Sequence, residues 1–303
     1  MTIVLVVLGC GLGGAVIAGA VALFLPNFDP AAPRAKPEAI AHEAQLHPRL
    51  AGRFRSRFDP ASLTGLALTV ALGILLVGTI AIGTLLIMVQ HNAGLARYDL
   101  SAARWGGDNA TTGSTQFLRD VSLFGGTPMM IGVVLIAAWR QYMRTRTAAV
   151  VGFLTVVVLG QVLITNLTKA LVGRHRPNIH QLTGFSGSSF PSGHAATAAA
   201  TFAAIALLVG RGRSRRIKAL LAAGAAFIAV SVAASRVLLG VHWMTDVIAG
   251  LAMGWGWFAI SSIAFGGRVL RFGQPVEIAQ QTARAGAVVD AAVSRPESSM
   301  SRG

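Results

Sequence analysis

The chain has 303 residues, 53% of them hydrophobic and 12% charged, and a mean hydropathy of +0.62, which excludes an ordinary soluble domain. Its net charge of +15 does not make it a nucleic-acid binder, because Lys and Arg fall in short blocks between apolar runs rather than on one basic face. Cys10 is the single cysteine, so an internal disulfide is excluded.

Runs long enough to cross a bilayer, about 20 residues each, occur at 2–25, 63–89, 121–139, 148–169, 194–209, 217–234 and 243–265. They predict an all-α, polytopic membrane helix bundle of seven spans. The first run reads as a retained N-terminal transmembrane helix over 1–25, since no basic stretch precedes Ile3 and the apolar run continues to Phe24; a cleaved signal is the alternative. Residues 26–62, rich in Pro, Arg and Ala, read as a cytoplasmic linker. Residues 266–303 read as a polar cytoplasmic tail, partly disordered, with one short helix near 276–293.

Orientation follows from the cations. Arg49, Arg53, Arg55 and Arg57, then Arg140, Arg144 and Arg146, then Arg211, Arg213, Arg215, Arg216 and Lys218 mark three connections as cytoplasmic. Segments 91–120, 172–192 and 240–243 then share the outer side. The first of these, with Arg97, Asp99, Arg104, Trp105 and Asp108, either covers a pocket and selects its ligand or is a solvated loop with an interfacial Trp.

Four charged residues sit near the outer helix ends: Lys169, Arg176, Arg236 and Asp246. At a bilayer centre each would cost about 2.5–3.5 kcal/mol, so they must line a hydrated pocket or pair with one another. Lys169 and Arg176 are seven apart, two turns on one face if the helix persists, although Pro177 forces Arg176 toward an extended conformation. Pro191-Ser192-Gly193-His194 heads the next apolar run. Ser192 suits a helix cap, Gly193 lets a ligand approach the backbone, and the helix N-terminus offers free N–H groups to an anion. His194 adds a proton donor there. His242 and Asp246 are i and i+4, so the carboxylate can hold one ring nitrogen and leave the other as a nucleophile. A metal is the competing reading of two His and an Asp, but the surrounding cations would repel a divalent ion and suit a phosphate instead.

These segments resemble the three signature motifs of the type 2 phosphatidic acid phosphatase superfamily, which also includes vanadium-dependent haloperoxidases. Lys169 with Arg176-Pro177, then Pro191-Ser192-Gly193-His194, then Ser235-Arg236 with His242 and Asp246 meet the motifs in order, with no position missing. The resemblance covers about 63–265, the six-helix catalytic core of the membrane members, and leaves the N-terminal helix, linker and tail outside. It implies an integral-membrane phosphatase for a lipid phosphate monoester or diphosphate, of the phosphatidic acid, phosphatidylglycerol phosphate or polyprenyl diphosphate class. His242 would be the nucleophile that forms a phosphohistidine, Asp246 its orienting partner and His194 the acid and base. Lys169, Arg176, Ser192, Gly193 and Arg236 would hold the phosphoryl oxygens. No metal, cofactor or nucleic acid is implied; the partners are the bilayer and a lipid phosphate, with the active site on the extracytoplasmic side of the cell membrane. The alternatives are a lipid phosphoryl transferase using the same site and a non-catalytic protein that binds or transports anionic lipids.

Overall fold

Backbone in lipid has no water to satisfy its N–H and C=O groups, so long apolar runs close their hydrogen bonds internally as helices. The computed structural model describes residues 1–24, 60–146 and 148–269, and no strand occurs among them. In chain order the elements are α1 (Thr2–Phe24), α2 (Pro60–Gln90), a 3₁₀ turn (Gly94–Tyr98), α3 (Asp99–Asp108), α4 (Thr112–Leu123), α5 (Thr127–Thr145), α6 (Ala148–Val172), α7 (Gly193–Gly210), α8 (Arg215–Leu238) and α9 (Met244–Val269). Six of these, α1, α2 and α6 to α9, contain stretches long and apolar enough to cross a membrane. The molecule is an all-α polytopic bundle, as its composition requires. The expected linker over 26–62 and tail over 266–303 lie outside the described residues, apart from the ends of α2 and α9.

The span expected at 121–139 is broken. α4 and α5 meet at a bend of 45° and together form a seventh candidate span. The cause lies at the bend, where Gly125 rests directly on the start of α7: an added Cβ would lie 2.7 Å from the carbonyl oxygen of His194. Thr111 caps α4 through a capping box with Ser114, and Pro128 sits in the first turn of α5.

α7 forms the centre. Its buried face is almost entirely alanine, with Ala195, Ala196, Ala198, Ala199, Ala200 and Ala204 shielded from solvent. Side chains this small let neighbouring backbones come close, which is how helices associate where lipid supplies no hydrophobic drive. Gly250 and Gly254, spaced as GxxxG on α9, take up that opportunity: added Cβ atoms would fall 2.6 Å from Ser192 O and 2.3 Å from Ala196 O. α1 lies along α8, with Gly11 against Ser231 and Phe227 and Gly14 against Val230. Its Ile3 and Val7 join Leu118, Leu238, Leu239 and Val241 in one buried cluster.

Antiparallel connectivity brings four helix ends together: the C-termini of α6 and α8 and the N-termini of α7 and α9. The arginine-bearing connections between α5 and α6 and between α7 and α8 fall at the opposite end. The tight α7–α9 seam therefore sets how far the third sequence motif stands from the second. We predict that Gly254→Ala lowers thermal stability in detergent by about 1–3 kcal/mol through overpacking, whereas Gly256→Ala, where an added Cβ meets nothing within 4 Å, is neutral or stabilising by up to about 1 kcal/mol. Equal effects of the two substitutions in a melting series would contradict this seam.

Candidate active site

The first cationic pair comes from α6 and the loop after it. α6 ends at Val172 and Gly173 follows with φ +61, the left-handed residue that commonly closes a helix. Lys169 and Arg176 are therefore not two turns apart on one helix, as their spacing suggested; Arg176 belongs to an irregular loop that folds back over the helix ends. Lys169 Nζ donates to Ser188 O. Arg176 donates to Gly187 O from Nε (2.9 Å), to Val241 O from Nη1 (2.7 Å), and to Ser186 O and Ser188 O from Nη2 (2.8 and 3.2 Å). Phe185 lies over its guanidinium, ring centroid to Cζ 4.9 Å. All these partners are neutral, so both cations are oriented without being neutralised.

The second motif forms the head of α7. Ser192, fully buried, is the N-cap in extended conformation, and its hydroxyl accepts from Ala195 N at 3.5 Å. Its own N–H donates to Asp246 O at 3.0 Å, tying this helix start to that of α9. Gly193 is the first helical residue, and an added Cβ would meet nothing nearer than Thr165 Cγ2 at 3.6 Å. Packing does not demand glycine there. His194 follows, against the Gly125–Gly126 bend.

The third motif supplies the remaining groups. Arg236, 6% exposed, donates from Nη1 to Ser122 Oγ at 2.8 Å, while its Nε has no partner among the described residues. A turn through Gly240, φ +69, follows α8; an added Cβ there would lie 2.7 Å from both Ile179 O and His180 O, so glycine is required by both conformation and space. His242 stands just before α9, not on its face as the i,i+4 spacing suggested. The contact with Asp246 survives because Asp246 is the third residue of α9 and reaches back over the helix start. There Asp246 Oδ2 accepts from Trp243 N at 2.9 Å and lies 3.4 Å from His242 Nδ1.

The tautomer of His242 follows from its neighbours. Arg176 Nη1 lies 3.2 Å from His242 Nε2, and a guanidinium can only donate. Nε2 therefore carries the lone pair and Nδ1 the proton directed at Asp246. Burial pushes the His242 imidazole down to about 4, with the adjacent Arg176 and Arg236 charges acting the same way and the hydrogen bond and charge of Asp246 opposing. Burial likewise lowers the Arg176 guanidinium, with Asp246 opposing.

Lys169, Arg176 and Arg236 are close enough for their charges to act on one another, on His194 and, for Lys169, with Asp246. All eight residues singled out in the sequence thus gather at one end of the bundle. Among the described residues, none of these three cations has a carboxylate within ion-pair distance. Four further residues were not anticipated as part of the site. Ser122 holds Arg236, and Arg174, Asp99 and Thr245 form a buried network around Asp246. The available signal for Arg174 was its place two residues before Arg176, in a stretch that Pro177 forces out of helix. Asp99, expected on a covering or solvated loop, is 4% exposed.

A cavity of about 660 Å³ opens beside Arg176 and is lined by Asn178, Gln181, Phe185 and Ser188 among others. Among the described residues, no three His, Cys, Asp or Glu side chains converge as a metal-ligand set.

Residues 149–269 match the PAP2 superfamily. The chain is 43% identical over 120 residues to the lipid A 1-phosphatase of Rhizobium etli, covering 36% of this chain and 46% of that protein. For the lipid A 1-phosphatase of Rhizobium johnstonii the identity is 42% over 120 residues, covering 36% of this chain and 43% of that one. These matches span less than half the length of the two Rhizobium proteins. The phosphatidylglycerophosphatase B of Bacillus subtilis is 30% identical over 142 residues, 46% of this chain and 69% of its own length. The crystal structure of a transmembrane PAP2-type phosphatidylglycerolphosphate phosphatase from Bacillus subtilis shares the fold, with a TM-score of 0.59 at 23% identity over 67% of this chain and 98% of that one.

The hydrogen-bond geometry and burial predict a neutral His242 ring well below ordinary histidine values. In ¹⁵N-histidine spectra of the detergent-purified chain, with His242→Ala for assignment, the His242 ring should remain neutral at about pH 5.5. An imidazolium at that pH would contradict the site as described.

Proposed function

Because the chain belongs to the PAP2 superfamily, we propose that it is an integral-membrane lipid phosphatase that hydrolyses a phosphate monoester or diphosphate headgroup through a phosphohistidine on His242. The observation that carries this reading is three neighbouring cations, Lys169, Arg176 and Arg236, without carboxylate partners among the described residues, with Arg176 at the lone pair of His242 Nε2. A phosphoryl group brings the charge they lack and accepts from several donors at once.

In the first step the Nε2 lone pair attacks phosphorus, the P–O bond to the lipid or leaving phosphate breaks, and protonated His194 gives its proton to the departing oxygen. Asp246 accepts from Nδ1–H and stabilises the positive imidazole of the phosphohistidine. In the second step His194 takes a proton from water, the resulting hydroxide attacks phosphorus, and the P–N bond breaks to return the pair to Nε2. Lys169, Arg176, the unpartnered Nε of Arg236, Ser192 and the Gly193 N–H hold the phosphoryl oxygens through both steps. Arg176 gives up its contact with Nε2 as the substrate oxygens take its place. These fixed cations supply the charge stabilisation, so no step is routed through a metal or cofactor.

A lipid fits the position of the site at a helix end, where a substrate reaches it sideways from the bilayer. The cavity beside Arg176 gives the polar headgroup a place lined by the amides of Asn178 and Gln181. The relatives are named as phosphatases of lipid A and of phosphatidylglycerophosphate, which favours water over a second lipid as phosphoryl acceptor. The site faces the extracytoplasmic side on this reading, because the arginine-bearing connections leave the opposite helix ends.

The test is phosphate release from phosphatidic acid, phosphatidylglycerol phosphate, lipid A 1-phosphate and polyprenyl diphosphate in detergent. At least one is hydrolysed without added acceptor, and His242→Ala lowers the rate by at least about 10³-fold while the protein extracts normally. Equal release by wild type and His242→Ala would refute the assignment. Gly193→Ala should melt like the wild type yet lose about 10²-fold in rate, because the added methyl obstructs the ligand and not the fold; a large drop in melting temperature would place its role in packing instead.

A further inference from the structure

Asp246 is fully buried, and its closest partner is not the histidine. Its Oδ1 accepts from Arg174 Nη1 at 2.5 Å, whereas His242 Nδ1 stands 3.4 Å from Oδ2. The same guanidinium continues to a second buried carboxylate: Arg174 Nη2 donates to Asp99 Oδ2 at 2.8 Å. Thr245 closes the ring. Its N–H donates to Asp99 Oδ1 (2.9 Å), its hydroxyl donates to Asp99 Oδ2 (2.7 Å), and its oxygen accepts from Arg174 Nη1 (2.8 Å). Trp243 covers the guanidinium, Cζ to ring centroid 5.4 Å.

The arrangement has a physical logic. Two carboxylates this close and this buried would repel one another. A guanidinium fork between them, donating to both, offsets that repulsion. Asp99 also accepts a free N–H in the first turn of α9, so it pins the start of the helix that carries Asp246. Asp99 comes from α3, outside the stretch that matches the family.

We propose that Asp99 and Arg174 are positioning residues, which hold the Asp246 carboxylate in place and divide its charge, so that it orients the His242 ring without binding it strongly. The proposal rests on His242 being the phosphoryl acceptor of the reading above. A nucleophile that must also leave phosphorus in the second step works best as a weakly basic, neutral imidazole. Arg174 keeps it so by drawing the Asp246 charge toward itself. The other charged and titratable groups acting on the ring are Arg176 from the loop, Arg236 from α8 and His194 from α7, while Lys169 from α6 acts on Arg176, Arg236, Asp246 and His194. Neither Arg176 nor Arg236 counters Arg174, since each disfavours a proton on His242.

The sign of two substitutions separates this role from a merely structural one. Removing the Arg174 charge leaves the whole Asp246 charge to His242 and favours its protonation. Removing the Asp99 charge leaves Arg174 wholly to Asp246 and has the opposite tendency. The experiment is a ¹⁵N-histidine titration of the full chain in detergent, together with kcat and KM for release of phosphate from a lipid phosphate that the wild type hydrolyses. Arg174→Gln should move the protonation of His242 up by about one pH unit or more and lower kcat by about 10²-fold with KM unchanged. Asp99→Asn should lower kcat while His242 titrates at or below the wild-type pH. Arg174→Lys should bring the titration back toward wild type without full recovery of kcat, because an ammonium cannot span both carboxylates.

An unchanged His242 titration in Arg174→Gln, or an upward shift in Asp99→Asn, overturns the proposal. Where Arg174→Gln does not fold, Asp99→Asn and Arg174→Lys decide: lowered kcat at unchanged KM in both supports it, and wild-type kcat in either overturns it. A wild-type chain that releases no phosphate from any lipid phosphate would fail the phosphatase reading alone, and the ring titrations would still test the network.

Discussion

Lys169, Arg176 and Arg236 hold three positive charges within reach of one another, and Asp246, the carboxylate whose charge reaches Lys169 and Arg176, is already committed to Arg174. Burying an ion without a counter-ion costs on the order of several kcal/mol. Main-chain carbonyls and the Ser122 hydroxyl orient these cations but add no negative charge. Such a site keeps its shape because the rest of the bundle fixes it. Arg236 bears that cost most directly, with a buried Nε that finds no acceptor among the described residues.

The fixing is done largely by small residues. The alanine face of α7 and the Gly250 and Gly254 contacts of α9 bring two helix backbones together, and the hydrogen bond from Ser192 N to Asp246 O locks their starting points. The bend at Gly125–Gly126 lets α4 approach His194 and place Ser122 under Arg236. Functional groups on an end of the bundle thus inherit their precision from apolar packing below them, where side chains are too short to adopt alternatives. α1, outside the family match, is packed along α8 by the same small-residue device, so it belongs to the bundle structurally.

Much of this was legible in the sequence because membrane helices announce themselves by length and hydropathy, and because the polar groups of the three motifs recur at fixed spacings. Lys169, Arg176, Ser192, Gly193, His194, Arg236, His242 and Asp246 all lie at one end of the bundle. Local geometry was harder to read. Helical spacing placed Lys169 with Arg176, and His242 with Asp246, on shared helix faces; in each pair one partner lies beyond the helix end, and the contact is made by the chain turning back. The split of one apolar run into α4 and α5 was hidden because Gly125 matters for what it touches, not for its own propensity. Asp99 and Arg174 were missed for the same reason. They are 75 positions apart, and an ion pair between a helix start and a distant loop leaves no periodic trace.

Two levels of order therefore meet at this site: three cations oriented by neutral partners, and a carboxylate network behind His242. The most direct test is the structure of the protein with orthovanadate, whose five-coordinate geometry mimics a phosphoryl group under attack. The account predicts vanadium bonded to His242 Nε2, Arg176 displaced from that nitrogen, and vanadate oxygens accepting from Lys169, Arg176 and the Nε of Arg236. Vanadate bound elsewhere, or a His242 ring still capped by Arg176 at saturating vanadate, would contradict it.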